Sequence, residues 1–404
     1  MIDTNPPFSD PSPAATGTSP DLGLRAYMPI VQQYAYFDHA AVAPIPLPAA
    51  EAIKAFANEA CQVGDTNWLQ WSQKIEQLRV HCGELLSANP LELAFVPNTT
   101  IGIGLIAEGW RWQSGDSVVV PNNEFPSNLV PWRNLARRGV QVREVAVDST
   151  GAIDLDAILA AIDGTTRMVA ISWVGFASGW RIDVAKFCSA IHERGALVFL
   201  DAIQGLGAFP LDVRTTNVDF LAADGHKWLL GPEGAGMLYV AKQHLEALDP
   251  LMIGWRSLDE RGAFDPAATE LKNSAARYEG GSANMVGLLG LERSVRLLLD
   301  HGAAREGSGL AKAILANVAH LEDELRRAGF DVLLPRNESN RSGILGVALP
   351  PSQLVAARNF CLARRIVTSV RAGRLRISTH AYNNTDDVNR LVNALKEFVR
   401  GSHG

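Results

Sequence analysis

The sequence predicts an α/β protein: a large domain on a mostly parallel, wound sheet, followed by a smaller α+β domain. Three observations carry this reading. Short apolar runs alternate with amphipathic stretches through most of the chain, which is the rhythm of strands joined by helical crossovers. Runs such as Met168-Val169-Ala170-Ile171 and Leu197-Val198-Phe199-Leu200 are apolar without interruption, as suits strands covered on both faces. Beyond about residue 284 the pattern changes to two long helices followed by short strands and further helices. At 404 residues the chain also exceeds the size at which one core keeps growing, so more than one domain is expected.

Residues 1–20 are rich in Pro, Ser and Thr and read as a tail; 21–283 read as the large domain and 284–404 as the small one. Order begins at Tyr36-Phe37-Asp38-His39-Ala40-Ala41, and prolines 44, 46 and 48 turn the chain into helices over 48–61 and 68–87. A strand over 91–96 is followed by Pro97-Asn98-Thr99-Thr100 and a helix over 100–109. Strands over 117–120 and 140–145 flank a helix over 127–138, and a helix over 154–162 leads to a strand over 168–173. A helix over 183–194 precedes the strand ending in Asp201, and strands over 217–221 and 237–240 bracket a glycine-rich turn around Lys227. The C-terminal part reads as helices over 284–300, 304–328, 352–364 and 385–400, with strands over 331–334, 343–349 and 374–378.

Composition excludes several function classes. With 47% hydrophobic and 20% charged residues and a net charge of -6, neither nucleic acid nor an anionic membrane surface is expected as a partner. No apolar run is long enough to span a bilayer and no signal pattern opens the chain, so a cytoplasmic protein is expected. Cys61, Cys82, Cys188 and Cys361 show no CxxC or zinc-ligand spacing, and no HExxH occurs, so no metal is expected. Cys82 and Cys188 fall in helical patterns as buried thiols.

The polar turns at strand ends fall on one edge of the expected sheet, where wound sheets bind ligands. Asn98-Thr99-Thr100 opens a helix and reads either as ordinary N-capping or as an anion site on free N–H groups and the helix dipole. Asp201 ends an apolar strand, so its carboxylate requires a partner: an arginine or backbone N–H, or the protonated ring nitrogen of a cofactor. Lys227 is either a solvated loop charge or an amine that loses its proton among apolar walls and becomes a Schiff-base nucleophile. The glycines around it, Gly225, Gly231, Gly234 and Gly236, allow a tight turn and a close neighbour. An amine for an aldehyde, a carboxylate for a pyridine nitrogen and a helix N-terminus for a phosphate are together what pyridoxal phosphate requires.

Four stretches in order carry a family resemblance: Asn98-Thr99-Thr100, Asp201-Ala202-Ile203-Gln204-Gly205, Asp224-Gly225-His226-Lys227, and Arg376-Ile377-Ser378-Thr379-His380-Ala381-Tyr382-Asn383. With them the chain, over about residues 25–400, resembles the class V aminotransferase family of fold-type I pyridoxal-phosphate enzymes, the group of cysteine desulfurases, isopenicillin N epimerase-like proteins and kynureninase. The resemblance implies a homodimer acting on a small amino acid, with Lys227 as the Schiff-base lysine and Asp201 paired with the pyridine nitrogen. It implies that Gln204 meets the ring hydroxyl, Phe125 stacks on the ring, and Thr99, Thr100 and His226 serve the phosphate. It implies that Arg376 grips the substrate carboxylate with His39 also on the substrate side, and that Ser282, in Arg277-Tyr278-Glu279-Gly280-Gly281-Ser282-Ala283-Asn284, reaches the partner subunit's phosphate site.

The chain also departs from the family. Cysteine desulfurases carry a histidine where Phe125 stands and a cysteine shortly before the substrate arginine, whereas Val367-Thr368-Ser369-Val370-Arg371-Ala372-Gly373-Arg374 contains none. Asp224 stands where the family has a serine, and Phe176 where it often has an asparagine. Phe125, Phe176 and Trp173 read as an aromatic pocket or as added core. The expected activity is therefore aminotransferase-like or epimerase-like, with C–S lyase or desulfurase activity as the alternative. A non-catalytic binding protein on the same fold is the alternative of another class. A nicotinamide dehydrogenase is disfavoured, because no G-x-G-x-x-G joins a strand to a helix.

Overall fold

The computed structural model describes residues 22–401 apart from 260–266, 306 and 308. Strand β1 (Ala35–Tyr36) precedes two long helices, α1 (Leu47–Val63) and α2 (Trp68–Leu86). There follow β2 (Leu93–Val96), α3 (Thr99–Gly109), β3 (Ser117–Pro121), α4 (Val130–Asn134), β4 (Gln141–Val145), α5 (Leu155–Ala160) and β5 (Thr166–Ser172). Next come α6 (Val184–His192), β6 (Leu197–Asp201), α7 (Val213–Thr216), β7 (Phe220–Asp224) and β8 (Gly236–Val240). The rest is α8 (Met285–Asp300), α9 (Gly309–Arg327), β9 (Val332–Leu333), β10 (Ile344–Val347), α10 (Leu354–Ala363), β11 (Ile366–Val367), β12 (Ser369–Arg371), β13 (Arg374–Ser378) and α11 (Thr385–Gly401).

A seven-stranded sheet in the order β2-β8-β7-β6-β5-β3-β4 forms the centre, parallel throughout except for β8, which runs against both of its neighbours. The uninterrupted apolar runs behave as expected: β3, β7 and β8 are buried at every position. Side chains alternate between two cores. Val119, Leu200 and Leu221 face one layer with Leu78, Cys188 and Leu291, while Val118, Phe199 and Phe220 face another with Ile103 and Trp132. Edge strand β4 is only part-buried and carries Gln141, Arg143 and Glu144.

A second, antiparallel sheet, β12-β13-β10-β9, packs with α10 and α11 on its own core. The segment around β1 packs against it: β1 and β11 form a separate two-stranded parallel sheet, Phe37 lies in that core, and the Ser378 N–H at the end of β13 donates to the Phe37 carbonyl at 2.8 Å. This crossing brings Asp38 and His39 to the end of β13.

Three stretches differ from the sequence expectation. The helix over 127–138 is broken into α4 between two short 3-10 turns; Pro131 lacks the N–H that a helix running on from residue 127 would donate to the Ser127 carbonyl. The strand before Lys227 starts later and runs on through Asp224, since Asn217 takes a left-handed conformation (φ 54°) that delays it. The stretch 367–374 is a hairpin, β12–β13, whose tight turn is made by Ala372 and Gly373 at φ 44° and 73°. No helix among the described residues is long and apolar enough to cross a membrane.

Candidate active site

The carboxyl ends of β6 and β7, the loop after β3 and the start of α3 surround a cavity of about 270 Å³. Eight residues singled out from the sequence line it: Thr99, Thr100, Phe125, Asp201, Gln204, His226, Lys227 and Arg376. They come from segments as far apart as 277 positions: the wound sheet gathers seven of them at the ends of its strands and the start of α3, while Arg376 comes from β13 of the second sheet.

Lys227 follows β7 in a turn closed by Gly225 N–H to the Ala235 carbonyl (2.9 Å) and Gly231 N–H to the Gly225 carbonyl (2.7 Å). The glycines serve the hairpin and α8 rather than a ligand: a Cβ on Gly225 would lie 2.6 Å from the Ala235 oxygen and 2.8 Å from Leu291 Cδ1. The Lys227 side chain is 8% exposed. Burial pushes its amine down to about 8, aided by Arg376 and opposed by Asp201. Its Nζ stands 5.6 Å from the centroid of the Phe125 ring.

Asp201 is buried at the end of β6. Burial raises its carboxyl to about 6, with the Ile203 N–H (3.1 Å) and the Lys227 charge acting against the rise. One oxygen thus has the backbone partner that the sequence allowed for; among the described residues no arginine pairs with it. Beside it, Gln204 Nε2 donates to the Ala40 carbonyl (2.9 Å) and its Oε1 accepts from Trp228 Nε1 (2.9 Å). An indole only donates and a carbonyl only accepts, so the amide orientation is fixed and one N–H remains for a ligand.

Phe125 is held by a buried chain beneath it. Trp132 Nε1 donates to Asn128 (3.0 Å), Asn128 donates to Glu124 (3.0 Å), and Glu124 accepts the Ser172 N–H (2.7 Å) and the Ser172 hydroxyl. Burial raises the Glu124 carboxyl to about 7. Phe125 meets Phe176 edge-on at 5.3 Å, so two of the three aromatics flank the cavity. Trp173 does not: it is core, packed over Gly205, where a Cβ would stand 2.3 Å from its ring.

At the start of α3, Asn98 Oδ1 accepts the Ile101 N–H at 3.0 Å, so capping occurs. It does not exhaust the site. Thr99 Oγ1 is buried without a hydrogen-bond partner, and Thr100 bonds Ser127 Oγ at 2.8 Å. Asp224 turns to His226, with 2.9 Å between Oδ2 and Nδ1 but no hydrogen-bond alignment, and its Oδ1 has no partner.

Arg376, 1% exposed on β13, donates Nε to Ser369 Oγ (3.2 Å), one terminal nitrogen to the Phe176 carbonyl (2.9 Å) and the other to Asp38 (3.1 Å). These three bonds leave two of the five guanidinium N–H groups, one on each terminal nitrogen. His39 is not brought to the cavity. Its ring is fully buried behind it, bonded to Tyr382 Oη (2.6 Å) and the Ser378 carbonyl (2.9 Å), because the β1 segment threads into the second core. Ser282 is exposed and lines a separate cleft with Phe95, Pro97 and Met252.

Sequence reasoning missed Asp38, Ser127, Arg371 and Trp228 as partners of this site, although Trp228 adjoins Lys227 and Arg371 lies five positions before Arg376. No thiol lines the cavity among the described residues. Cys82, Cys188 and Cys361 are buried, their thiols pushed up to about 12, 12 and 11; Cys61 is exposed on α1.

A buried amine of lowered proton affinity, a buried carboxylate beside it, a fixed amide N–H and an unpartnered hydroxyl at a helix N-terminus define a site for a phosphorylated aromatic aldehyde. The chain matches the aminotransferase class-V family over residues 35–391 and belongs to it. That family's cofactor is pyridoxal phosphate, and the residues described here fit it. A protein of Methanothermobacter thermautotrophicus named as a probable cysteine desulfurase is 30% identical over 400 residues, covering 93% of this chain and 97% of that one. Two solved structures share the fold at 23% identity and a TM-score of 0.85: a cysteine desulfurase of Thermococcus onnurineus NA1, covering 96% of this chain and all of that one, and a cystine C–S lyase in complex with cysteine persulfide, covering 92% and 99%.

Proposed function

We propose that this protein is a pyridoxal-phosphate enzyme that removes the Cα proton of an amino acid without a cysteine nucleophile of its own, with an aminotransferase-like or epimerase-like outcome. The observation that carries the reading is the single cavity shared by Lys227, Asp201, Arg376 and the unpartnered Thr99 hydroxyl, with no thiol among its described lining residues.

Thr99, Thr100, His226 and the start of α3 would hold the phosphate, Lys227 the aldehyde carbon, Asp201 the ring nitrogen and Gln204 the ring oxygen. When bound, the cofactor supplies an electron sink for the pair left on Cα. Arg376 binds the substrate carboxylate through its two remaining N–H groups and so fixes which Cα bond faces the lysine. Lys227, with its proton affinity lowered to about 8, takes the Cα proton on Nζ and later returns one. Ser282 is the residue we expect to reach the partner subunit's phosphate site in a homodimer.

The names of the relatives favour a second reading, cleavage of a C–S bond in cysteine or cystine. With a thiol-free cavity, sulfur would then leave as a free species rather than on a protein cysteine. Incubation of the holoenzyme with single amino acids and assignment of products decides between the two. A keto acid that keeps the substrate's side chain, or an inverted amino acid, supports the first reading, and a sulfur species released together with pyruvate or alanine supports the second; a persulfide on Cys61 or Cys361 overturns both.

A further inference from the structure

The β12–β13 hairpin presents three guanidinium groups on one face. Residues paired across an antiparallel ladder share a face, and Ser369 pairs with Arg376 while Arg371 pairs with Arg374. Arg371, Arg374 and Arg376 therefore project on the same side, as does Ser369, whose hydroxyl donates to Asp38. The carboxylate at this face, Asp38, is held by Arg376 and Ser369. Arg374 turns away from the cavity over Gly346 and toward the Ser149 carbonyl. Arg371 lines the cavity at its exposed end, and it donates one terminal N–H to its own neighbour's carbonyl, Val370 O, at 2.9 Å. Among the described residues it has no carboxylate within 4 Å.

This leaves one more cation than a monocarboxylic amino acid requires. Arg376, with Asp38 behind it, keeps two N–H groups for an α-carboxylate. Arg371 reaches the same space from the solvent side, close enough that its charge lowers the proton affinity of both Lys227 and Arg376. Phe125 and Phe176 line the same cavity in edge-on contact and offer an apolar wall to a side-chain stem but no partner for a charge. The turn at Ala372 and Gly373 holds the hairpin short, so the Arg371 head stays at the mouth instead of swinging out on a long loop.

Resting on the function proposed above, we propose that Arg371 is a specificity-determining residue that binds a second anionic group at the far end of the substrate, so that the site prefers amino acids with an acidic side chain over their neutral isosteres. The planar fork of Arg371 suits a distal carboxylate, while Arg376 takes the α-carboxylate. A charge-assisted contact at a half-open mouth corresponds to a preference of about tenfold.

The test uses the reconstituted holoenzyme and equilibrium binding read from the cofactor's absorption, not turnover. L-aspartate and L-glutamate are titrated against L-asparagine and L-glutamine into the native protein, Arg371→Gln and Arg371→Lys. We expect the native protein to bind the acids about tenfold more tightly than the amides. In Arg371→Gln the acid-to-amide ratio should fall to about one, and Arg371→Lys should restore part of it, with the remaining preference weakening as salt is raised. A native protein that takes up pyridoxal phosphate and binds the amides as well as the acids overturns this inference alone. So does an acid preference that survives Arg371→Gln. A protein that takes up no cofactor overturns the function beneath it.

Discussion

Lys227 should weaken the cofactor-free protein, and replacing it by methionine should strengthen it. Methionine has similar length and an adaptable apolar stem, so Lys227→Met fills the same space without the charge. The amine titrates near 8 in the fold against 10.5 when free. Between those values the unfolded chain binds more protons than the folded one, so stability rises with pH across that window; below 8 the full cost is present. A difference of about 2.5 units corresponds to about 3 kcal/mol. Part of the gain is offset because Asp201, already raised to about 6, loses its nearest cation and becomes harder to ionise. The net expectation is a stabilisation of about 2 kcal/mol at pH 7 that fades to nothing by about pH 11. Denaturant midpoints of the cofactor-free native and Lys227→Met proteins at pH 7, 9 and 11 measure it. Equal midpoints at pH 7, or a gain unchanged at pH 11, would refute the claim that a desolvated amine sits in this cavity.

Two further outcomes follow from individual atoms. Thr99→Ala removes a buried hydroxyl that has no protein partner, so it should change stability by no more than about 0.5 kcal/mol. It should nonetheless weaken pyridoxal phosphate binding about tenfold, measured by absorbance titration, while Thr99→Ser keeps it. Trp228→Phe leaves Gln204 Oε1 without its donor and costs about 1–3 kcal/mol. It also frees the amide to turn its oxygen toward the cofactor, so the pH at which the bound chromophore titrates should rise; an unchanged titration would show that Trp228 only packs.

Most of the fold was legible because its signals are local. Apolar runs of strand length, separated by helical stretches, translate directly into β3, β5, β6 and β8, and the two faces of each strand then find separate cores. The errors also have local causes: Pro131 broke a helix whose hydrophobic rhythm continued, and left-handed Asn217 shifted the start of β7. Within the site, residues embedded in strand-end motifs could be named from the sequence, since each motif sits on the ligand edge of the sheet. Their partners could not. Asp38 meets Arg376 across 338 positions because the residues after β1 bridge to the end of β13, and the same crossing takes His39 away from the cavity. Trp228 is different, being adjacent to Lys227; its value lies in the direction of one N–H, which no spacing rule reports.

We propose Lys227 as the group that binds the cofactor's aldehyde. Borohydride reduction of the holoenzyme followed by proteolysis and mass spectrometry tests this most directly. A pyridoxyl-phosphate adduct on the peptide carrying Lys227, absent from Lys227→Ala, is the predicted result. An adduct on another lysine, or an unmodified Lys227 in a protein that has taken up the cofactor, would contradict it.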